Sequence, residues 1–500
     1  MKITGVSITN VIVVSVCGFL CGFLPPLLPA AAILFIIPFI ALIYEEKPKY
    51  LKMYLWGFFS YFGAIWWMVL VDVKGLQVLI AAGCVLLSAA FGLRYLFIAA
   101  LSSLAVKNSK NIAFLFIPSV WVITEYTLLF GEFSFPWMLE GYSLSPYLYV
   151  SQLASVTGVW GLSFLAVISA VILYERIFKK RNGIFSIALF IVISAICVWG
   201  FFRVKPTEFY EEKALVMQPN ANQQNWNGRA SLELSVEVLD SLFKESVNLN
   251  KGIYILPESG IFTYLEFNPS CQTVIDEWSQ RYNSSIIFGT LTPIIDYGLN
   301  TVSAYNSAYW ADNQNFGGYE NYAKYHKQKL VPFVETTPFK NILPVINRLK
   351  LAGGGFTEGK ENSVWEIENL NAAPLICYES IYPNYVRKRV NFGANLLVNL
   401  TNDGWFGRTS APLQHAEMSR VRAIENGVAF VRCTNSGISF SADPYGRYLS
   451  KTKLYAREIV EMPIAKPLEC TIYRKFGDWF AYFCGFFAVF ALIFPTVRKK

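Results

Sequence analysis

Residues 374–379 read Pro374-Leu375-Ile376-Cys377-Tyr378-Glu379, a short apolar run that ends in a thiol and then a carboxylate. Similar runs, rich in β-branched residues, lie at 214–218, 253–257, 285–290, 303–310 and 395–399. They have the length and composition of strands. Between several of them lie amphipathic helical patterns, at 230–249 and 413–426. Strands interleaved with helices predict an α/β layered domain over 204–477. About 270 residues are ample for one large core.

Outward from that block the texture changes. The 500-residue chain is 54% hydrophobic and 16% charged, where a soluble globular chain carries about 25% charged residues. Seven apolar runs precede residue 204, at about 8–24, 27–44, 53–71, 76–104, 112–130, 149–174 and 184–202, and an eighth covers 478–497. Runs of this length cross a bilayer as helices. The reading is three-part: a seven-helix membrane domain over 1–203, a soluble domain over 204–477, and a final span with a basic tail over 478–500. Lys2 gives the first run the look of a signal peptide, but more apolar sequence follows it, so it reads as an anchor. Pro25 and Pro26 then force a tight turn between the first two spans.

The net charge of +8 does not indicate nucleic acid. Residues 1–203 hold 13 Lys/Arg against 7 Asp/Glu, and Arg498, Lys499 and Lys500 close the chain. Cations gather after every second span: Lys47, Lys49 and Lys52; Lys107 and Lys110; Arg176, Lys179, Lys180 and Arg181; and the C-terminal three. The intervening loops carry one, Lys74. By the positive-inside rule both termini are cytoplasmic and the soluble block lies outside, in the periplasm of a bacterium. Within the spans, Arg94 and Glu125 are expected to form a buried ion pair between neighbouring helices. Phe135-Pro136-Trp137 in the outer loop reads as an interfacial anchor.

Four of the nine cysteines fall in the soluble block, Cys271, Cys377, Cys433 and Cys470, without CxxC spacing, and only His326 and His415 are histidines. Zinc chemistry is therefore not expected, and no P-loop or G-x-G-x-x-G is present. Three strand ends carry reactive groups: Leu256-Pro257-Glu258, Tyr325-His326-Lys327 and Ile376-Cys377. Catalytic groups in α/β sheets gather at strand carboxyl ends. A thiol there suits nucleophilic attack, with a carboxylate as base and a lysine to stabilise negative charge. A Cys377–His415 dyad is the competing arrangement.

In this order the three sites resemble the Glu–Lys–Cys triad of the nitrilase (carbon–nitrogen hydrolase) superfamily. With seven spans before and one after, the chain resembles the apolipoprotein N-acyltransferase family within it. Gln218-Pro219-Asn220, Glu335, Thr401-Asn402-Asp403-Gly404-Trp405-Phe406-Gly407, Arg420, Arg422, Glu425 and Thr434-Asn435-Ser436-Gly437 fit the same pattern. Val334 departs from it, since the family usually has glycine before the second glutamate.

The resemblance implies a nitrilase-like αββα sandwich on the periplasmic face of an inner-membrane protein, working without a cofactor. It implies transfer of an acyl chain from a phospholipid, typically phosphatidylethanolamine, to the α-amino group of the diacylglyceryl-cysteine that begins an apolipoprotein. Cys377 would be the nucleophile, Glu258 the general base and acid, and Lys327 the oxyanion donor and a cation favouring the thiolate. Glu335 would orient the lysine or the thiol. Tyr378, Glu379, Trp226 and Trp405 match supporting positions, and His415 is then structural. A membrane-tethered amidase acting on a small amide and a non-catalytic lipid-binding module are the alternatives.

Overall fold

The structure is a computed structural model that describes residues 2–3, 6–71, 77–108, 110–180, 183–221, 229–249, 251–296, 301–312, 314, 318–338 and 355–493. Trp226, Lys74, Arg181 and the basic C-terminal three lie outside the described residues.

Seven apolar helices come first: α1 (Val11–Phe23), α2 (Ala31–Ile43), α3 (Tyr50–Ile65), α4 (Gln77–Asn108), α5 (Lys110–Thr127), α6 (Val159–Phe178) and α7 (Ile184–Arg203). Four helical stretches are long and apolar enough to cross a membrane: Tyr50–Leu70, Gln77–Lys107, Val159–Phe178 and Ile184–Arg203. Val11–Phe23, Ala31–Ile43, Ile112–Thr127 and Trp479–Ile493 are apolar but shorter. The expected sixth run starts late, because its first residues form two one-turn helices, Leu148–Ser151 and Ala154–Thr157, before Gly158 turns the chain at φ +67. Arg94 and Glu125 are not an ion pair. Arg94 donates to the Tyr95 hydroxyl at 2.7 Å and lies over the rings of Tyr61, Tyr95 and Trp121. Glu125 accepts from Trp121 Nε1 at 3.0 Å and from the backbone of Glu140 at 2.8 Å. Each charge is instead bonded to an aromatic side chain of its own helix, Arg94 to Tyr95 and Glu125 to Trp121.

The soluble domain has twelve strands and five helices among the described residues: β1 (Phe209–Gln218), α8 (Arg229–Glu245), β2 (Ile253–Ile255), α9 (Pro269–Tyr282), β3 (Ile286–Asp296), β4 (Thr301–Ala311), β5 (Ala323–His326), β6 (Trp365–Ile367), β7 (Leu370–Ile376), α10 (Pro383–Asn391), β8 (Leu396–Thr401), α11 (Ala411–Asn426), β9 (Ala429–Thr434), β10 (Phe440–Ala442), β11 (Tyr448–Lys451), β12 (Glu458–Ala465) and α12 (Ile472–Phe476). Helix α13 (Trp479–Ile493) follows. The strands form two six-stranded sheets, ordered β12-β1-β2-β3-β4-β5 and β11-β10-β9-β8-β7-β6.

Side-chain alternation sets the layers. Along β1, Ala214 and Val216 face the second sheet, where they pack with Ile376, Val398 and Val431. Leu215 and Met217 face outward, against Leu239 and Phe243 of α8 and Trp278 of α9. The second sheet buries its outer face against Val386 and Val390 of α10 and Ala416 and Ala423 of α11. Helix, sheet, sheet and helix make the expected four layers. Central pairings are parallel, β1 with β2, β2 with β3, β7 with β8 and β8 with β9, so β2 and β7 present their carboxyl ends as open turns.

Candidate active site

Three turns build the site. Strand β2 ends at Ile255, and Leu256-Pro257 carry the chain to Glu258, 7% exposed. The following Ser259 has φ +53. Gly289 on β3 permits this turn: a Cβ there would lie 2.6 Å from Ser259 N and 2.7 Å from Glu258 Cα. Lys327 follows β5 and is fastened by its N–H to the Asn306 carbonyl at 2.9 Å. Cys377 follows β7 with φ +51. A left-handed conformation in a residue with a side chain costs roughly 1–3 kcal/mol and persists only where its surroundings hold it.

The side chains converge. Lys327 is 1% exposed, and its Nζ lies 2.8 Å from Glu335 Oε1 and 3.2 Å from Glu258 Oε1. Asn306 Nδ2 donates to the same two oxygens, at 2.8 Å to Glu258 and 3.1 Å to Glu335. Asn306 was not expected at the site, and its only signal was an amide in the middle of an apolar strand. Burial opposes the Lys327 ammonium, but the carboxylates of Glu258 and Glu335 outweigh it and lift its pKa above the usual lysine range. Burial raises Glu258, against the pull of Lys327. Burial and the Glu258 charge push the Cys377 thiol well above its ordinary range, although Lys327 acts the other way. Lys327 favours the thiolate, while burial and the carboxylate charges oppose it more strongly. That shift favours the protonated thiol, on which the Glu258 carboxylate acts.

Glu335 returns to the lysine through a tight turn in which its Oε2 accepts from the Val331 N–H at 2.8 Å. Phe333 carries the positive φ of this turn, +63, while Val334 is 56% exposed at its tip. A glycine is therefore not required at 334.

Glu379 is fully buried and ties the lysine and cysteine loops together. Its Oε1 accepts from the Tyr325 hydroxyl at 2.6 Å, the Gln328 N–H at 2.7 Å and the Tyr385 hydroxyl at 2.9 Å. Its Oε2 accepts from the Ile376 N–H at 2.7 Å. Tyr378 donates to the Ser134 carbonyl of the loop after α5 at 3.0 Å. Trp405, 40% exposed on the turn after β8, is not part of the buried group around Lys327. Trp137 is no interfacial anchor: it is 5% exposed, donates to Gln414 at 2.8 Å, and packs on His415 with ring centroids 5.5 Å apart. His415 is buried and bonded to Asp403 at 2.9 Å. His326 is bonded to Ser307 at 2.8 Å and stacked on Tyr305.

An ester or amide carbonyl meeting this group finds a nucleophile, a base and a cation at one point, the requirements of acyl transfer through a thioester. Among the described residues no cluster of three or more His, Cys, Asp or Glu could hold a metal ion.

Residues 216–467 match the carbon–nitrogen hydrolase family, and residues 15–172 match the apolipoprotein N-acyltransferase N-terminal domain. An apolipoprotein N-acyltransferase from Rickettsia prowazekii is 30% identical over 442 residues, covering 85% of this chain and 82% of that protein. One from Geobacter metallireducens is 30% identical over 398 residues, 77% of this chain and 74% of that protein. Among solved structures, a mutant amidase of the nitrilase superfamily from Nesterenkonia AN1 aligns at 16% identity with a TM-score of 0.39, over 54% of this chain and 94% of that one.

Proposed function

This chain belongs to the apolipoprotein N-acyltransferase family of carbon–nitrogen hydrolases, and we propose that Cys377, Glu258 and Lys327 carry its reaction. It is a membrane acyltransferase of bacterial lipoprotein maturation: a phospholipid gives up an acyl chain, and the N-terminal amine of a lipoprotein receives it. The observation that carries the residue assignment is the buried Lys327 bridging Glu258 and Glu335, beside a cysteine held in a left-handed turn.

The steps balance without a cofactor. Glu258 takes the thiol proton as sulfur attacks the ester carbonyl carbon, and the oxyanion forms against the Lys327 ammonium. The tetrahedral species collapses to a thioester, and the proton on Glu258 passes to the leaving glycerol oxygen. The lipoprotein amine then attacks the thioester, Glu258 takes the amine proton, and the thiolate leaves and is reprotonated. An ester has become an amide. Glu335 keeps Lys327 in place throughout, and Glu379 holds the lysine and cysteine loops in register. Trp226 and Trp405 are assigned to substrate contact on the family pattern alone.

Supporting the lipid side is an apolar cluster in which Tyr378 and Val331, next to the triad, pack with Phe62, Trp66, Met68 and Leu87 of the membrane region. We assign this seam to the acyl chain and phosphatidylethanolamine as the donor. The domain boundaries proposed are 1–203, 204–477 and 478–500, with eight spans and both termini in the cytoplasm. The alternation of basic loops supports a periplasmic catalytic domain.

The test is direct. Full-length enzyme incubated with phosphatidylethanolamine and no acceptor gains one acyl mass, removable by hydroxylamine and mapped to Cys377, and Cys377→Ala gains none. An adduct on another residue overturns the assignment.

A further inference from the structure

On its backbone side Cys377 meets a second buried polar group, which the reaction above does not use. Asp403, His415 and Arg432 are each 1% exposed or less, as are Asn399, Ser380 and Ser419. Arg432 donates through Nη2 to Asp403 Oδ2 at 2.7 Å and through Nη1 to Asn399 Oδ1 at 2.7 Å. Asn399 then donates to the Cys377 carbonyl at 3.3 Å, and Ser380 Oγ donates to the same carbonyl at 2.9 Å. His415 lies between: Nδ1 is 2.9 Å from Asp403 Oδ1, and Nε2 is 3.4 Å from Ser380 Oγ. Arg432 Nη2, which can only donate, also lies 3.0 Å from His415 Nδ1, and with its one proton given to the Cys377 carbonyl, Ser380 Oγ faces Nε2 as an acceptor. Gly437 closes the wall, since a Cβ there would lie 2.5 Å from Asp403 Oδ2.

This placement is not that of a Cys–His dyad. The ring meets the backbone and the neighbour of Cys377, while Glu258 and Lys327 are the charges that act most on the thiol. The direction of Sγ depends on the φ of Cys377, and that φ, +51, lies in the left-handed region. Ahead of the cysteine, the Ile376 N–H is bonded to Glu379; behind it, the Cys377 carbonyl is bonded to this network. Releasing the carbonyl frees the turn to relax and swings the thiol away.

We propose that Asp403, His415 and Arg432, acting through Asn399 and Ser380, are positioning residues that hold the Cys377 carbonyl and so aim the thiol at the ester. The proposal rests on Cys377 being the nucleophile. It adds a support built from the loop after β8, from α11 and from β9.

The experiment uses the full-length enzyme in detergent with phosphatidylethanolamine, and reads single-turnover acylation by intact mass, the phospholipid KM and the thermal midpoint. His415→Phe keeps a ring without its polar edge, His415→Gln restores polar atoms, and Ser380→Ala removes the Oγ contacts to the Cys377 carbonyl, His415 and Ser419. Misplacing a reacting atom by about 1 Å costs on the order of 10²-fold in rate. His415→Phe and Ser380→Ala are therefore expected to slow acylation about 10–100-fold with KM unchanged, and His415→Gln to recover most of the loss. Should His415→Phe fail to fold, Ser380→Ala carries the test alone. The proposal is overturned if the slowed variants regain the parent rate at temperatures well below their melting, if Ser380→Ala acylates at the parent rate, or if His415→Gln is as slow as His415→Phe. Peptide mapping separates the two ideas, because an adduct away from Cys377 in the parent enzyme removes the nucleophile assignment itself.

Discussion

Replacing Lys327 with methionine keeps the length of the side chain and removes its charge. Nζ lies 2.8 Å from Glu335 and 3.2 Å from Glu258, all three groups are buried, and Asn306 also donates to both carboxylates. Two effects follow from that geometry. Loss of an oxyanion donor slows acylation about 10²–10³-fold. Stranding buried carboxylates without their cation costs about 3–5 kcal/mol of stability, which lowers the thermal midpoint of a domain this size by roughly 10 °C. The second variant decides between them: Lys327→Met with Glu335→Gln leaves one stranded carboxylate instead of two. It should regain most of the midpoint and none of the rate. Single-turnover acylation by intact mass and thermal unfolding in detergent read the two quantities separately. Lys327→Met acylating within ten-fold of the parent would refute the oxyanion role. A double variant as unstable as the single one would refute the charge argument.

Four further outcomes are expected. Because the Cys377 thiol is pushed above its ordinary range by burial and by Glu258, its alkylation by iodoacetamide should keep rising with pH from 6 to about 9; a plateau below pH 7 would reveal a resting thiolate. Burial raises Glu425, which accepts from the Val159 N–H and lies 3.1 Å from Arg422, to about 7 against the pull of that cation. An acid raised on folding stabilises while protonated, so stability should fall by about 3 kcal/mol as pH climbs from about 4.5 to 7, and Glu425→Gln should flatten that part of the melting profile. Gly289→Ala pushes on the Glu258 turn and should cost about 10²-fold in acylation in a protein that still folds, as circular dichroism would check. A cysteine placed at exposed Glu320 should react with a membrane-impermeant maleimide in intact spheroplasts and one at Lys180 should not; the reverse pattern rejects the proposed orientation.

Glu258 and Cys377 were conspicuous because each ends an apolar run, where a side chain emerges from the sheet edge, whereas Lys327 follows the mixed run Ala323–His326 and was joined to them by the family resemblance. The layered fold was legible for the same reason, since β1, β3 and β4 read as strands in sequence. Less visible were β9, buried at every position, whose run merges with the end of α11, and β10 and β11, which are three and four residues long. Spacing does not say which polar groups meet. Glu379 accepting from Tyr325, 54 positions away, and Arg432 reaching Asp403 across 29 positions are products of sheet register. The expected Arg94–Glu125 pair failed because depth in the bilayer, which sequence supplies, does not fix the direction in which a helix turns a side chain.

The raised pKa of the Cys377 thiol has a consequence for how long the enzyme lasts. Peroxide and disulfide exchange act on thiolates, not thiols. In the proposed outward orientation the enzyme would work in an oxidising compartment, where a permanently ionised cysteine would pass to sulfenic acid or a mixed disulfide between turnovers. All nine cysteines are unpaired, and Cys433, 0% exposed, gives its S–H to the carbonyls of Met217 and Ile255. Keeping the proton on Cys377 until an ester carbonyl arrives confines its nucleophilicity to the moment of attack. The same raised pKa that calls for a base such as Glu258 keeps the thiolate, the form that oxidants attack, scarce while the enzyme waits for lipid.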